Sequence, residues 1–302
     1  MPELPDVELY VTHLRRRVVG QTLERVRVAN PFLVRSFDPP LRETEGKRVL
    51  GIRRLGKRIV FDLDEDLHIV LHLMIAGRLR WKTAGAKVPG KIGLAAFDFA
   101  PGTLLLTEAS TTRRASLHVV RGEAAVAALD PGGVEPLAIE RATFAAALRR
   151  ENHTVKRALT DPRIFSGIGN AYSDEILWRA RQSPVRLTKA ITDDEVARLH
   201  EATVATLREW VERLAREAGD DFPEQVTAFR EEMAVHGRYK KPCPACGAPV
   251  QRIAYASNES NYCAPCQTGG KLLADRALSR LMRGDWPKTL DELEQRKANA
   301  RR

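Results

Sequence analysis

The sequence predicts a two-domain α+β protein. A leading helix and an antiparallel β-rich half come first, followed by a helical half that ends in a metal-binding hairpin. Three observations predict this. From about residue 22 to 120, short runs such as "KRIVFDL", "HIVLHLMIAGRLRW", "IGLAAFDF" and "GTLLLTEA" have strand composition and are separated by Gly, Pro, Asp or Asn. Beyond "LDPGGVEPLAIE" (129–140), a stretch rich in Pro and Gly, the apolar spacing becomes helical. All four cysteines lie at 243, 246, 263 and 266, in the pattern C-x2-C-x16-C-x2-C.

Each element has a local cause. From Pro5 to Val18, Val7, Tyr10, Leu14 and Val18 recur at helical spacing, and Gly20 sits where a C-terminal cap belongs. Successive short strands argue for an antiparallel sandwich or barrel, with "KTAGAKVPGKIG" as a flexible loop between two of them. Thr192 and Glu195 have capping-box spacing, and Val196, Leu199, Thr203, Leu207, Val211 and Leu214 then line one face until Gly219. "CPACG" and "CAPCQ" are two knuckles around "APVQRIAYASNESNY", which suits a β-hairpin. Cys243, Cys246, Cys263 and Cys266 fill one tetrahedral site with thiolates, leave no open position for catalysis, and so imply one structural Zn2+ rather than two disulfides. After it, "KLLADRALSRLMRG" reads as an amphipathic basic helix. The expected segments are 1–130 (β-rich), 131–140 (connection), 141–235 (helical), 236–270 (zinc module) and 271–302 (basic extension).

The 302 residues carry a net charge of +10, which favours a polyanionic partner such as nucleic acid or an anionic membrane and says nothing about fold. No apolar run approaches a membrane span and no secretory h-region is present, so the expectation is a cytoplasmic protein. Aromatic residues are only 6%, which disfavours an extended stacking wall for single strands.

Two stretches carry candidate chemistry. "RIFSGIGNAYSDEIL" (163–177) sets Gly167, Gly169 and Asn170 directly before a helix. Freed N–H groups there suit a phosphate, although an ordinary helix–helix turn has the same composition. "MPELPDVELY" opens the chain: Pro2 either starts a helix or, once Met1 is removed, presents a secondary amine.

"PELPDVE", "LGK" (55–57), "SGIGNAYSDEIL", "HGR" before "CPACG", and "YCAPCQ" together resemble the formamidopyrimidine-DNA glycosylase / endonuclease VIII family, in order and separation, over roughly residues 1–270. The resemblance implies an N-terminal β-sandwich, a helix–two-turn–helix domain and a zinc finger, with double-stranded DNA held between them by a monomer. It implies excision of a damaged base and cleavage at the abasic site by β,δ-elimination. Pro2 is then the nucleophile. An α-amino group titrates near pH ~8, against ~10 for lysine, so a useful fraction is unprotonated at neutrality. By the same resemblance Glu3 is the acid/base carboxylate, Lys57 and Asn170 meet the backbone at the extruded nucleotide, Gly167 and Gly169 let the strand approach, and Lys156 is a further phosphate candidate. A catalytically silent or lyase-only DNA binder on the same scaffold is the alternative.

The sequence departs from the family pattern in several places. Asn258 stands where the hairpin arginine is expected. In "HLMIAG" Met74 and Ile75 replace a glycine–methionine pair whose methionine fills the void left by the base. In "TEASTTRRASLH" Arg113 and Arg114 supply the charge directed at the orphaned base, but Ala115 replaces the aromatic. "EAGDDFPEQVTAF" lacks the Gly-Thr-rich loop that covers oxidised purines, which argues against 8-oxoguanine as preferred lesion. Asp6 replaces a glutamate.

Overall fold

The computed structural model describes residues 1–224, 226–227, 230–254, 259–273 and 286–299. The chain forms two units: Met1–Gly133 with Arg208–Ala228, and Val134–Leu207 with Phe229–Arg302.

The first unit begins with helix α1 (Leu4–Val18), whose Leu4, Val7, Tyr10, Val11, Leu14 and Val18 are all fully buried. That i, i+3, i+4, i+7 spacing puts one apolar stripe against the sheet. The helix ends without a glycine cap: Val19 is extended, and Gly20 (φ +84°) donates its N–H to Val49 O at 2.8 Å, turning the chain into the sheet. Gly20 therefore serves the turn and not the helix end.

Nine strands follow: β1 (Thr22–Leu23), β2 (Arg25–Val28), β3 (Lys47–Leu55), β4 (Arg58–Leu63), β5 (Leu67–His72), β6 (Gly77–Lys82), β7 (Gly93–Phe99), β8 (Gly102–Glu108) and β9 (Ser116–Arg121). They pair antiparallel in two sheets, ordered β1-β3-β4-β5-β9 and β2-β7-β8-β6. Phe61 of β4 stacks on Phe97 of β7 with centroids 6.3 Å apart, joining the two inner faces. The fold is thus the sandwich and not the closed barrel, since the two sheets share no hydrogen-bonded edge. A short helix, α2 (Glu123–Ala127), closes the unit's first chain segment.

The second unit contains α3 (Arg141–Arg149), α4 (Val155–Thr160), α5 (Asn170–Arg179) and the first half of α6 (Asp193–Ala218). The box at the start of α6 is formed: Thr192 N–H donates to Glu195 Oε2 at 2.8 Å, and Glu195 N–H to Thr192 Oγ1 at 3.2 Å. Thr154 caps α4 by accepting from Arg157 N–H at 3.3 Å. Strands β10 (Gln251–Ala254) and β11 (Glu259–Tyr262) make the hairpin, followed by α7 (Ala264–Thr268) and α8 (Leu290–Asn299). Leu290 and Leu293 of α8 pack on Ile253, Tyr262, Ala264 and Leu272. Asn258 and most of the basic helix expected at 271–284, with Arg276, Arg280 and Arg283, lie outside the described residues. No described helix is long and apolar enough to cross a membrane.

Candidate functional site

The start of α1 is held by a reciprocal cap. Glu3 is the N-cap; its side chain accepts from the Asp6 backbone N–H, while Asp6 Oδ2 accepts from Glu3 N–H at 2.9 Å. Pro5 occupies the first turn, where its missing N–H costs no hydrogen bond. Asp6 is fully buried and Glu3 nearly so. The shorter Asp6 side chain therefore fixes the backbone of residue 3, a part that its position in the sequence does not reveal.

The Met1 amine stands in the same electrostatic neighbourhood. Burial lowers its pKa below the usual 8.0; Glu3 opposes this, Arg78 adds to it, Asp6 opposes and Lys57 adds. Lys57 is also held below its ordinary value, by burial, with Glu3 pulling upward. Residues 1, 3 and 57 thus share one electrostatic environment.

Lys57 is placed by a two-residue turn between β3 and β4, in which Leu55 pairs with Arg58 and Gly56 takes φ +61°. The Arg54 side chain, 7% exposed, locks that turn to the helix: Nε donates to Glu8 Oε1 at 2.6 Å and Nη1 to Gly56 O at 3.0 Å. The sequence shows no link between Glu8 and Arg54, which are 46 residues apart. Beside the turn, His72 lies opposite Arg58 in register. Burial, then Arg58, Lys57 and His118, push its pKa down to about 4. His118 is lowered by burial, Arg58 and Arg35. Both imidazoles are neutral at pH 7 within a cation-rich patch.

The remaining candidates of this unit sit on loops. Met74 and Ile75 occupy the β5–β6 turn, closed by Gly77 N–H to Leu73 O at 2.9 Å. A Cβ on Gly77 would stand 2.2 Å from that carbonyl oxygen, so only glycine fits. Met74 takes φ +52°, and Ile75 is 60% exposed at the tip, so Ile75 is no core strand residue. Arg113 and Arg114 are exposed on the β8–β9 loop. Buried Glu108 shapes that loop by accepting from the N–H groups of Arg114 and Ala115, each through Oε2 at 3.0 and 3.1 Å. Ala115 is itself buried.

In the second unit, the glycine turn leads into α5: Gly167 has φ +80°, Gly169 is the N-cap, and both are buried. Asn170 Nδ2 donates to Glu259 O of the hairpin at 2.9 Å. Fully buried Asp174 is the hub. Its carboxylate accepts from Lys156 Nζ at 2.5 Å, Ser260 Oγ at 3.1 Å and Asn261 N–H at 3.2 Å, and contacts His236 Nδ1 at 2.8 Å. Lys156 also donates to Asn170 O and Ser173 Oγ, each at 3.1 Å. All three of its donors are spent inside the unit, so in this structure Lys156 ties α4 to α5 instead of offering its charge to a phosphate. Glu175 accepts from the N–H groups of Ala234, Val235 and His236. Sequence reasoning missed this pair of carboxylates because, Lys156 apart, their partners lie 59 to 87 residues away.

The Sγ atoms of Cys243, Cys246, Cys263 and Cys266 lie within 4.8 Å of one another, and all four thiols are free. Tetrahedral thiolates ~2.3 Å from a zinc ion stand roughly 3.8 Å apart, so the cluster fits one ion. Trp178 Nε1–H of α5 donates to Cys243 Sγ at 3.4 Å, and Val235, Cys243, Val250 and Cys263 form a small buried core.

A β-sandwich behind a helix that begins at residue 4, joined to a glycine-led helix and a four-thiolate hairpin, defines a class. The family model for the formamidopyrimidine-DNA glycosylase N-terminal domain matches residues 1–116, and that for its H2TH domain matches residues 133–219. The chain is 34% identical over 277 residues to the formamidopyrimidine-DNA glycosylase of Thermus thermophilus, covering 89% of this chain and all of that one. The solved Thermus thermophilus protein superposes with a TM-score of 0.75 at 33% identity, covering 88% of this chain and 98% of that one. Lactococcus lactis Fpg in complex with abasic-site DNA gives 0.77 at 26%, covering 88% and 99%. This chain belongs to the formamidopyrimidine-DNA glycosylase family.

Proposed function

We propose that the protein is a DNA repair glycosylase with abasic-site lyase activity, acting as a cytoplasmic monomer on double-stranded DNA that carries a damaged, oxidised base. Family membership supports the glycosylase, and relatives bound to abasic-site and damaged-base DNA support the substrate. The observation that carries the mechanism is the shared environment of the chain's first amine, Glu3 and Lys57.

Removal of Met1 frees the Pro2 nitrogen. Burial and the nearby Lys57 and Arg78 charges, which lower the Met1 amine, favour an unprotonated amine in this neighbourhood. The Pro2 lone pair attacks the sugar C1′; the C1′–base bond breaks, its electron pair leaves with the base, and the N–H proton of the resulting ammonium on Pro2 passes to the departing base. Glu3 protonates the sugar ring oxygen, opening the ring and leaving an iminium on Pro2. The iminium acidifies the C2′ proton, whose loss expels the 3′ phosphate, and a second elimination expels the 5′ phosphate. Lys57 places a cation at the flanking phosphate. Asn170, Gly167 and Gly169 add backbone contacts, exposed Arg113 and Arg114 direct charge at the orphaned base, and Met74 or Ile75, of which Ile75 is the exposed one, is the apolar filler. One Zn2+ on the four cysteines supplies a structural cross-link and takes no part in the chemistry.

Borohydride trapping on duplexes with an abasic site or an oxidised base tests this. Full-length protein with Met1 confirmed absent by mass spectrometry forms a covalent adduct on both, and Pro2→Gly forms none. Trapping on abasic DNA alone would reduce the activity to a lyase; no adduct on any duplex would refute the enzyme.

A further inference from the structure

Helix α1 carries Glu3 at its start, next to the chain's first amine, and it is tied to the two sheets separately. Glu8 Oε1 accepts from Arg54 Nε–H of β3 at 2.6 Å, and Arg15 Nε–H donates to Ile52 O of the same strand at 2.7 Å. Toward β6 of the other sheet the bond is longer, Leu79 N–H donating to Tyr10 Oη at 3.3 Å. A segment from far along the chain reinforces this second side.

After α6 the backbone turns at Gly219 (φ +56°), and residues 220–224 then touch both α1 and β6. The half-buried Phe222 ring has its centroid 5.9 Å from Tyr10 and 6.2 Å from His13 on α1, and 6.4 Å from Trp81 on β6. The Arg17 guanidinium covers the ring at 5.4 Å and donates through Nη2 to Asp220 O at 2.6 Å, 203 residues away in sequence. Glu224 pairs with Lys82 Nζ of β6 at 2.7 Å. The grip on α1 begins at Tyr10, about 9 Å along the axis from Leu4, so it reaches the helix start through the hydrogen-bonded rod of α1.

Each sheet sends one cation toward the amine: Lys57 from the β3–β4 turn and Arg78 from β6, against the Glu3 and Asp6 carboxylates of α1. Burial is the largest influence on it and lowers its proton affinity, as both cations do. Arg78 directly precedes Leu79, the residue that Tyr10 holds.

We propose that Phe222 is a positioning residue for the Pro2 amine: by clamping α1 to β6 it sets how deeply the amine is buried and how near Arg78 stands. The inference rests on the Schiff-base reading, in which that amine must be unprotonated to attack. With the clamp loosened, the amine regains water and distance from Arg78, and its proton affinity rises toward that of an ordinary α-amine, ~8.

The test is the pH dependence of borohydride trapping on an abasic-site duplex, with full-length proteins whose Met1 is confirmed absent by mass spectrometry. Phe222→Ala moves the midpoint of the trapping rate up by about half a pH unit or more, which is a loss of roughly threefold in rate below the midpoint. Phe222→Tyr, which keeps the ring, returns the midpoint to that of wild type. Phe222→Leu moves it upward by less and takes the place of Phe222→Ala if that variant does not fold. Phe144→Leu, a core truncation in the second unit, lowers the melting temperature and leaves the midpoint where it was. A midpoint unchanged in the folded Phe222 variant, or moved as far by Phe144→Leu, overturns the inference and leaves the Schiff-base reading standing. No adduct from wild type at any pH removes both.

Discussion

The two units solve the same problem, placing reactive or DNA-facing side chains, by opposite means. In the sandwich unit, apolar packing does the work: α1 buries a full stripe, Phe61 meets Phe97 between the sheets, and the site residues sit at a helix start and on tight turns. In the second unit, a buried carboxylate and a metal-binding cluster stand beside an apolar core that includes Phe144, Leu159, Phe165, Tyr172 and Leu199. Asp174 gathers α4, the His236 segment and β11, while the four cysteines share a small core with Val235 and Val250. The difference teaches that the first unit should tolerate loss of any one polar contact, and the second should not.

The largest effect expected is from the metal. Cys263→Ser, or a strong chelator, should release one zinc per chain and unfold the hairpin, since structural zinc contributes ~10–16 kcal/mol in small modules. Hydrogen exchange should show protection lost at β10 and β11 and retained in β3–β5; loss in both would erase the contrast. Asp174→Ala leaves the half-buried Lys156 and the Ser260 and Asn261 donors without their buried anion and should cost about 3–5 kcal/mol. Denaturant unfolding that shows less than about 1 kcal/mol would mean that the hub is dispensable.

His72 sharpens the comparison from the sandwich side. Its folded pKa, about 4, lies below the unfolded 6.5, so the unfolded chain binds the extra proton between those values. The stability is fully present above pH 6.5 and is lost as pH falls through 4, on the order of 2 kcal/mol after allowing for partial exposure. His72→Leu should flatten the melting temperature across that window; an unchanged slope would exclude His72 as the cause. The smallest effect is Thr192→Ala, which removes the cap of α6 and should cost ~1 kcal/mol in the same unfolding assay.

Much of this was legible because it is local. The α1 stripe, the Thr192–Glu195 box and the cysteine spacing each depend on residues within a few positions or on a fixed ligand chemistry. Other features were not. Gly20 looked like a helix cap because sequence cannot show that its N–H is claimed by Val49. Lys156 looked like a phosphate contact because Asp174, its partner, is one of many acids nearby in sequence. The Glu8–Arg54 lock and the Glu108 brace need strand register, which no single pattern encodes. The exposure of Ile75 follows from the turn that Gly77 requires, which "HLMIAG" alone does not show.

One structural feature bears on how such a gene can be cut and recombined. The chain passes from the second unit back into the first inside α6, and the returning segment brings Phe222, whose ring lies 5.9 Å from Tyr10, 6.2 Å from His13 and 6.4 Å from Trp81. A fragment that stops at the Pro- and Gly-rich connection therefore lacks part of its own interior. Neither half is a contiguous cassette, because the second unit also resumes after residue 228, so truncation and domain shuffling must treat the two units as one coding block.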